Sequence, residues 1–332
     1  MSGPLWRDSA PGWTRHRMAV TTLSTGQDLS LQLSVLRGVE RGPTLGIMSG
    51  VHGDETMSLL LLRRLMDSLD GGLLRGVLVL LPVANPLALG AFSRFTPEQH
   101  GNVDLHTAFP GNVAGCLTQA IAATITSGLL DHVDALIDVH SGGVGRLQWR
   151  VDFDAQLSPE LRQRCLEFCR QFGSSLLHEN NLAGSASHHL NRRQIVTANL
   201  EIGGAYLGAE ATDQYLDAGV RGITNALRHL GLLREAPHPP PRQLLYSTKS
   251  RVEVNPRRGG FLVSARQSVM DLGRPVTRGE RLGEIFDAHS LELVEELVAP
   301  VSGVLFFSRY SGLVEAGAKA FGLAEEESSS WL

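Results

Sequence analysis

Cysteine is scarce in this chain: three among 332 residues, Cys116, Cys165 and Cys169. A small, odd count excludes a disulfide framework and suits a reducing compartment. Cys165 and Cys169 stand four apart in a segment that reads as helix. They share a face there as two buried thiols rather than a metal or redox pair. Long apolar runs are missing as well. No stretch reaches the roughly 18 continuous apolar residues of a membrane span, and residues 1–17 lack the apolar core of a signal peptide. A cytoplasmic protein is expected. Charge of one sign is also lacking. With 30 basic and 34 acidic residues the net charge is -4, so neither nucleic acid nor an anionic membrane is an expected partner. Apolar side chains, at 42%, are plentiful enough for a sizeable core and two domains.

The stretch Ser49-Gly50-Val51-His52-Gly53-Asp54-Glu55 organises the rest. An apolar run, Thr44 to Met48, leads into it, and a leucine-rich segment, Thr56 to Leu69, follows. The pattern is strand, glycine-flanked turn, helix. Further strands are expected over Leu29–Leu36, Gly76–Leu81, Ala135–His140 and Ile195–Glu201, and helices over Leu117–Leu130, Pro159–Phe172 and Asp213–Leu232. Asn85-Pro86 opens a polar loop reaching about Gly115. Strands alternating with helices imply an α/β fold, a mixed sheet flanked by helices. A proline-rich linker, 237–242, separates this first domain, 1–236, from a smaller all-β domain, 243–332. Leu272 to Ile285 resembles the hairpin of lipoyl and biotinyl carriers, but no lysine stands at an attachment tip. The acidic, serine-rich tail, Glu325 to Ser330, is expected to be disordered.

Three ligand-type residues stand at or just after predicted strand ends: His52, Glu55 and His140. α/β sheets build their sites there. Two imidazole nitrogens and one carboxylate suit Zn²⁺ and leave the fourth tetrahedral position open, the arrangement of a catalytic ion. Such an ion makes water a nucleophile near neutral pH. Hydrolysis also needs a base, for which Glu201 before Gly203-Gly204 is the candidate, and a cation for the oxyanion, for which Arg94 is the candidate. His178, His188, His189 and His229 have no partner at ligand spacing, although His188-His189 is expected near the mouth of the site.

Gly50-Val51-His52-Gly53-Asp54-Glu55, Asn85-Pro86-Leu87-Ala88, Asp138-Val139-His140-Ser141-Gly142 and Glu201-Ile202-Gly203-Gly204 together resemble the succinylglutamate desuccinylase/aspartoacylase family, over roughly residues 40–320. The resemblance implies a zinc carboxypeptidase-like fold and one Zn²⁺ per chain on His52, Glu55 and His140. It also implies Glu201 as base and acid, Arg94 as the oxyanion partner, and a β domain partly covering the site. Substrate contacts are expected from Asn85, His106 and Thr107.

One departure bears on the substrate. The family's Asp-Leu-Asn-Arg-x-Phe-Pro-Gly reads Asp104-Leu105-His106-Thr107-Ala108-Phe109-Pro110-Gly111 here. A hydroxyl cannot replace a guanidinium that grips a carboxylate with two bonds. Either the substrate lacks a carboxylate there, or Arg146, Arg192 or Arg193 supplies the charge. Asn199, where the family often has threonine, is a smaller departure. The expected activity is hydrolysis of a small N-acylated amine or amino acid derivative. A carboxypeptidase-like peptidase and a zinc-bound, non-catalytic binding protein are the alternatives. The partner is a small molecule, and a homo-oligomer is compatible with all three.

Overall fold

Apolar runs bounded by glycine or proline become the strands of one large sheet. The computed structural model describes residues 3–69, 75–99, 101–238, 240–265 and 272–332. In the first part of the chain the strands are β1 Gly12–Thr22, β2 Asp28–Arg37, β3 Glu40–Ser49, β4 Arg75–Leu81, β5 Thr96–Glu98, β6 Gly101–Val103, β7 Ala135–Gly142, β8 Gly145–Asp154, β9 Leu176–Asn180 and β10 Val196–Gly204. The helices are α1 Met57–Ser68, α2 Pro86–Gly90, α3 Leu117–Gly128, α4 Pro159–Arg170, α5 Ala186–Asn191 and α6 Ala209–His229. Beyond them come β11 Leu244–Ser247, β12 Arg251–Val254, β13 Gly260–Ser264, β14 Pro275–Val276, β15 Arg281–Phe286, β16 Leu293–Val298, β17 Gly303–Arg309, β18 Gly312–Val314, β19 Phe321–Glu325 and β20 Ser330–Trp331.

The main path of the large sheet runs β1-β2-β4-β3-β7-β10-β8-β17-β19-β12. β4, β3, β7 and β10 are parallel, whereas β2 and β8 pair antiparallel to this block. The sheet is therefore mixed, as the strand–helix alternation implies. Side chains alternate between its faces. Leu45 and Ile47 of β3 and Ile137 and Val139 of β7 join the core under α1, α4 and α6. Met48 and Leu136 join the opposite core under α3 and α5. Every residue of β7 is buried, so a near-continuous apolar run is what this central strand requires.

Two expectations differ. The loop 85–115 is not structureless: it holds α2, the β5–β6 hairpin and a 3₁₀ turn at Leu105–Thr107. The tail is not disordered, because Ser330 and Trp331 pair with Leu245 and Leu244 of β11. Trp331 gives that tail an anchor which acidic composition hides, its ring lying 4.3 Å from the Arg242 guanidinium. The strands beyond residue 243 also continue the large sheet, β17 pairing with β8 and β11 with β9. β16, β15, β13 and β18 form a separate antiparallel sheet. Among the described residues no helix is long and apolar enough to cross a membrane.

Candidate metal centre and active-site cavity

Because β3, β7 and β10 run parallel, their carboxyl ends fall on one edge of the sheet. The turn 50–55 follows β3, His140 lies near the end of β7, and Glu201 lies near the end of β10. Register does the rest. Glu201 pairs with His140 on one side and with Arg150 of β8 on the other. Glycine shapes the two turns. A Cβ at Gly53 would stand 2.0 Å from the Ala88 carbonyl group, so only glycine lets this turn lie on α2. Gly203 has φ +60°, and a Cβ there would meet the Met57 sulfur at 2.4 Å.

His52, Glu55 and His140 bring one ligand atom each within 4.8 Å of one another, and all three are buried. His52 Nδ1 lies 2.8 Å from Glu55 Oε1, and His140 Nδ1 lies 3.0 Å from Glu55 Oε2. The far nitrogen of each ring faces a second carboxylate. His52 Nε2 is 3.1 Å from Asp104 Oδ1, and His140 Nε2 is 3.2 Å from Asp138 Oδ2. Carboxylate behind imidazole is the usual support of a metal-ligating histidine: it sets the tautomer and makes the inner nitrogen more basic. The donor set therefore fits a divalent ion such as Zn²⁺, with Nδ1 of each ring as the ligand atom. The Ser141 amide donates to Glu55 Oε2 at 3.0 Å, which orients the carboxylate.

Electrostatics agree with that division of labour. Burial alone would raise the Asp104 carboxyl, but the His52 bond overrides it and holds the group at about 2. Asp104 is thus an anion throughout the physiological range. Burial raises the Glu201 carboxyl, and the neighbouring Arg150, with Nη2 at 3.6 Å, opposes it.

Six of the residues singled out from the sequence line one cavity of about 390 Å³: His52, Glu55, His140, Arg94, His106 and Glu201. That is the size of a small-molecule site. Arg94 reaches Glu55 Oε1 at 3.3 Å and Asp104 Oδ2 at 3.5 Å. The His106 ring lies 5.0 Å from His140 and 5.9 Å from His52, and burial followed by His140 lowers it to about 4, a neutral imidazole. Thr107 and Asn85 are not brought into the cavity. Thr107 is exposed, its hydroxyl donating to the Asp104 carbonyl at 3.3 Å. Asn85 is buried and structural. It caps α2 by accepting from the Ala88 amide at 3.1 Å and donates to the Thr96 hydroxyl at 2.8 Å.

The spare arginines lie elsewhere. Arg146 donates to the Ser308 hydroxyl at 3.0 Å, Arg193 pairs with Asp131 at 2.7 Å, and Arg192 is exposed. His188 is bound to Asp154 at 2.6 Å and, like His189, does not line the cavity. The cavity contains residues that the sequence did not single out, chiefly Arg150, Arg251 and Lys319. Only Asp138 among the missed residues has a local signal, since it lies two before His140 on one strand and so shares its face.

Several known proteins are similar to this chain. Residues 41–230 match the model of the succinylglutamate desuccinylase/aspartoacylase catalytic domain. An N-alpha-acetyl-L-2,4-diaminobutyric acid deacetylase from Halomonas elongata is 29% identical over 290 residues, covering 83% of this chain and 80% of the relative. A succinylglutamate desuccinylase/aspartoacylase from Rhodobacter sphaeroides superposes with a TM-score of 0.81 at 22% identity, over 96% of this chain and 97% of that one. The product-bound ectoine utilization protein EutE (DoeB) of Ruegeria pomeroyi gives a TM-score of 0.82 at 21% identity, over 97% and 98%. The chain belongs to the succinylglutamate desuccinylase/aspartoacylase family.

Proposed function

We propose that this chain is a zinc-dependent deacylase that hydrolyses the amide bond of a small N-acylated amine or amino acid derivative. The observation that carries the reading is the pair of buried imidazoles, each backed by its own carboxylate and both converging on Glu55. The name of the Halomonas elongata relative, a deacetylase of an N-acetyl amino acid, supports the same reaction class.

His52, Glu55 and His140 would hold the ion. Bound there, zinc supplies a Lewis acid for the substrate carbonyl and makes water a competent nucleophile near neutral pH. Glu201 accepts the proton of the attacking water and returns it to the departing nitrogen as the C–N bond breaks, leaving an acid and an amine. A carboxyl raised by burial is suited to that return. Arg94, anchored by Glu55 and Asp104 and always charged, stabilises the negative charge that grows on the carbonyl oxygen. Asp104 and Asp138 hold the two ligand rings in the tautomer the ion needs.

The test uses zinc-loaded protein, a panel of N-acetyl, N-succinyl and N-formyl amines and amino acids, and the Glu201→Gln variant. Wild type should hydrolyse at least one class. The variant should keep its zinc and lose about 10²- to 10⁴-fold in turnover. Unimpaired turnover in Glu201→Gln removes the base, and no hydrolysis of any compound by wild type removes the deacylase reading.

A further inference from the structure

The cavity wall formed by β8, β12 and the approach to β19 carries three cations that the metal centre does not use. Arg150 leaves β8, Arg251 opens β12, and Lys319 precedes β19, strands that the sheet order β8-β17-β19-β12 brings side by side. Arg150 is fixed by Asp152, which accepts from Nε at 2.7 Å and from Nη2 at 3.1 Å. Arg251 donates to Glu253 at 2.5 Å. Both guanidiniums lie over the Phe306 ring, at 5.0 and 5.9 Å.

Lys319 is held less well. Its ammonium lies over the Phe307 ring at 4.4 Å, and its nearest acid is Glu253, at 3.8 Å and already engaged by Arg251. That distance is too long for a hydrogen bond. Burial first, and then Arg251, push the ammonium down to about 8. Among 30 basic residues the sequence has two lysines. Lys249 is exposed, and the other one stands in this cavity. A partly desolvated ammonium, crowded by guanidiniums and without a hydrogen-bonded acid among the described residues, is stabilised by an incoming anion.

We propose that Lys319, flanked by Arg251 and Arg150, is a specificity-determining residue that binds a carboxylate of the substrate. This rests on the deacylase reading and adds the substrate's charge to it. The carboxylate belongs either to the amine half, as in an N-acyl amino acid, or to the acyl half, as in the half-amide of a dicarboxylic acid.

Three substrates separate these cases: an N-acetyl amino acid, its carboxamide, and an N-succinyl amine with no other charge. Steady-state kinetics are measured on zinc-loaded wild type, Lys319→Met, Lys319→Arg and the surface control Lys249→Met. One charge-assisted hydrogen bond corresponds to about a 10- to 100-fold effect. Wild type should prefer one of the two acids over the carboxamide by that factor in kcat/KM, and the acid preferred identifies the half that carries the charge. Lys319→Met should raise KM for that acid by the same factor and leave the carboxamide unaffected. Lys319→Arg should restore part of the preference, and Lys249→Met should behave as wild type. Lys319→Gln replaces Lys319→Met if the latter does not fold, as judged by its melting curve. Equal use of acid and carboxamide by wild type, or a preference that survives in Lys319→Met, overturns the proposal. If none of the three is hydrolysed, calorimetric titration of the N-acetyl amino acid and of the N-succinyl amine decides the anion site separately from the deacylase reading. Binding to wild type that is lost in Lys319→Met supports it, and no binding to either overturns it.

Discussion

Replacing Asp138 tests whether the carboxylate behind His140 serves a metal centre. Asp138 is 1% exposed, and its Oδ2 stands 3.2 Å from His140 Nε2. Neither carboxylate oxygen has a hydrogen-bond partner, so its contribution is the charge it places against His140 and, beside it, His106. Partners of this kind are worth about 10- to 100-fold in metal affinity, or about 1.4 to 2.8 kcal/mol. Two substitutions divide the effect. Asn keeps an acceptor oxygen that can hold the ring's orientation but removes the charge, so Asp138→Asn should lose about 10-fold. Ala removes both, so Asp138→Ala should approach 100-fold. Competitive titration against a zinc chelator at fixed pH gives the affinities, and circular dichroism confirms that each variant is folded. A folded Asp138→Ala that binds zinc as tightly as wild type would refute the reasoning, and equal losses in Asn and Ala would assign the whole effect to charge.

Other consequences are equally direct. Gly53→Ala places a methyl 2.0 Å from the Ala88 backbone, so denaturant unfolding should show a loss of about 3 kcal/mol together with weakened zinc binding. Arg94→Met should lower kcat by about 10²- to 10³-fold with a smaller effect on KM, if it holds the oxyanion. The Lys319 ammonium faces Arg150, Arg251, Glu201 and Glu253 and is held at about 8. It is charged below that value and neutral above it, so KM for a carboxylate substrate should rise as pH passes through about 8. Lys319→Arg, which stays charged, should remove that rise.

The sheet and the clustering of His52, Glu55 and His140 were legible because their signals are local. β7 and β10 are mainly apolar stretches, interrupted by Asp138 in one and by Thr197 and Asn199 in the other, that lead into His140 and Glu201, and His52 and Glu55 stand in one glycine turn after β3. The structure adds the register that aligns His140, Glu201 and Arg150 across three strands. The placement of Asn85 as the cap of α2, outside the cavity lining, was not legible, because a cap and a substrate contact use the same amide side chain and only packing separates them. Arg251 and Lys319 left no trace in local pattern. They reach the cavity because β17 pairs with β8 and β12 with β19, pairings that depend on distant parts of the chain. The tail was misread for a related reason: composition counts its charges and serines, but its order comes from β11 and Arg242.

The most direct measurement of the central claim is metal content. Protein stripped with a chelator, reloaded with zinc, dialysed and measured by plasma mass spectrometry should hold one zinc per chain. His52→Ala, Glu55→Ala and His140→Ala should each fall well below one equivalent under the same dialysis while remaining folded. A full equivalent of zinc retained in the folded double variant His52→Ala/His140→Ala would contradict the account.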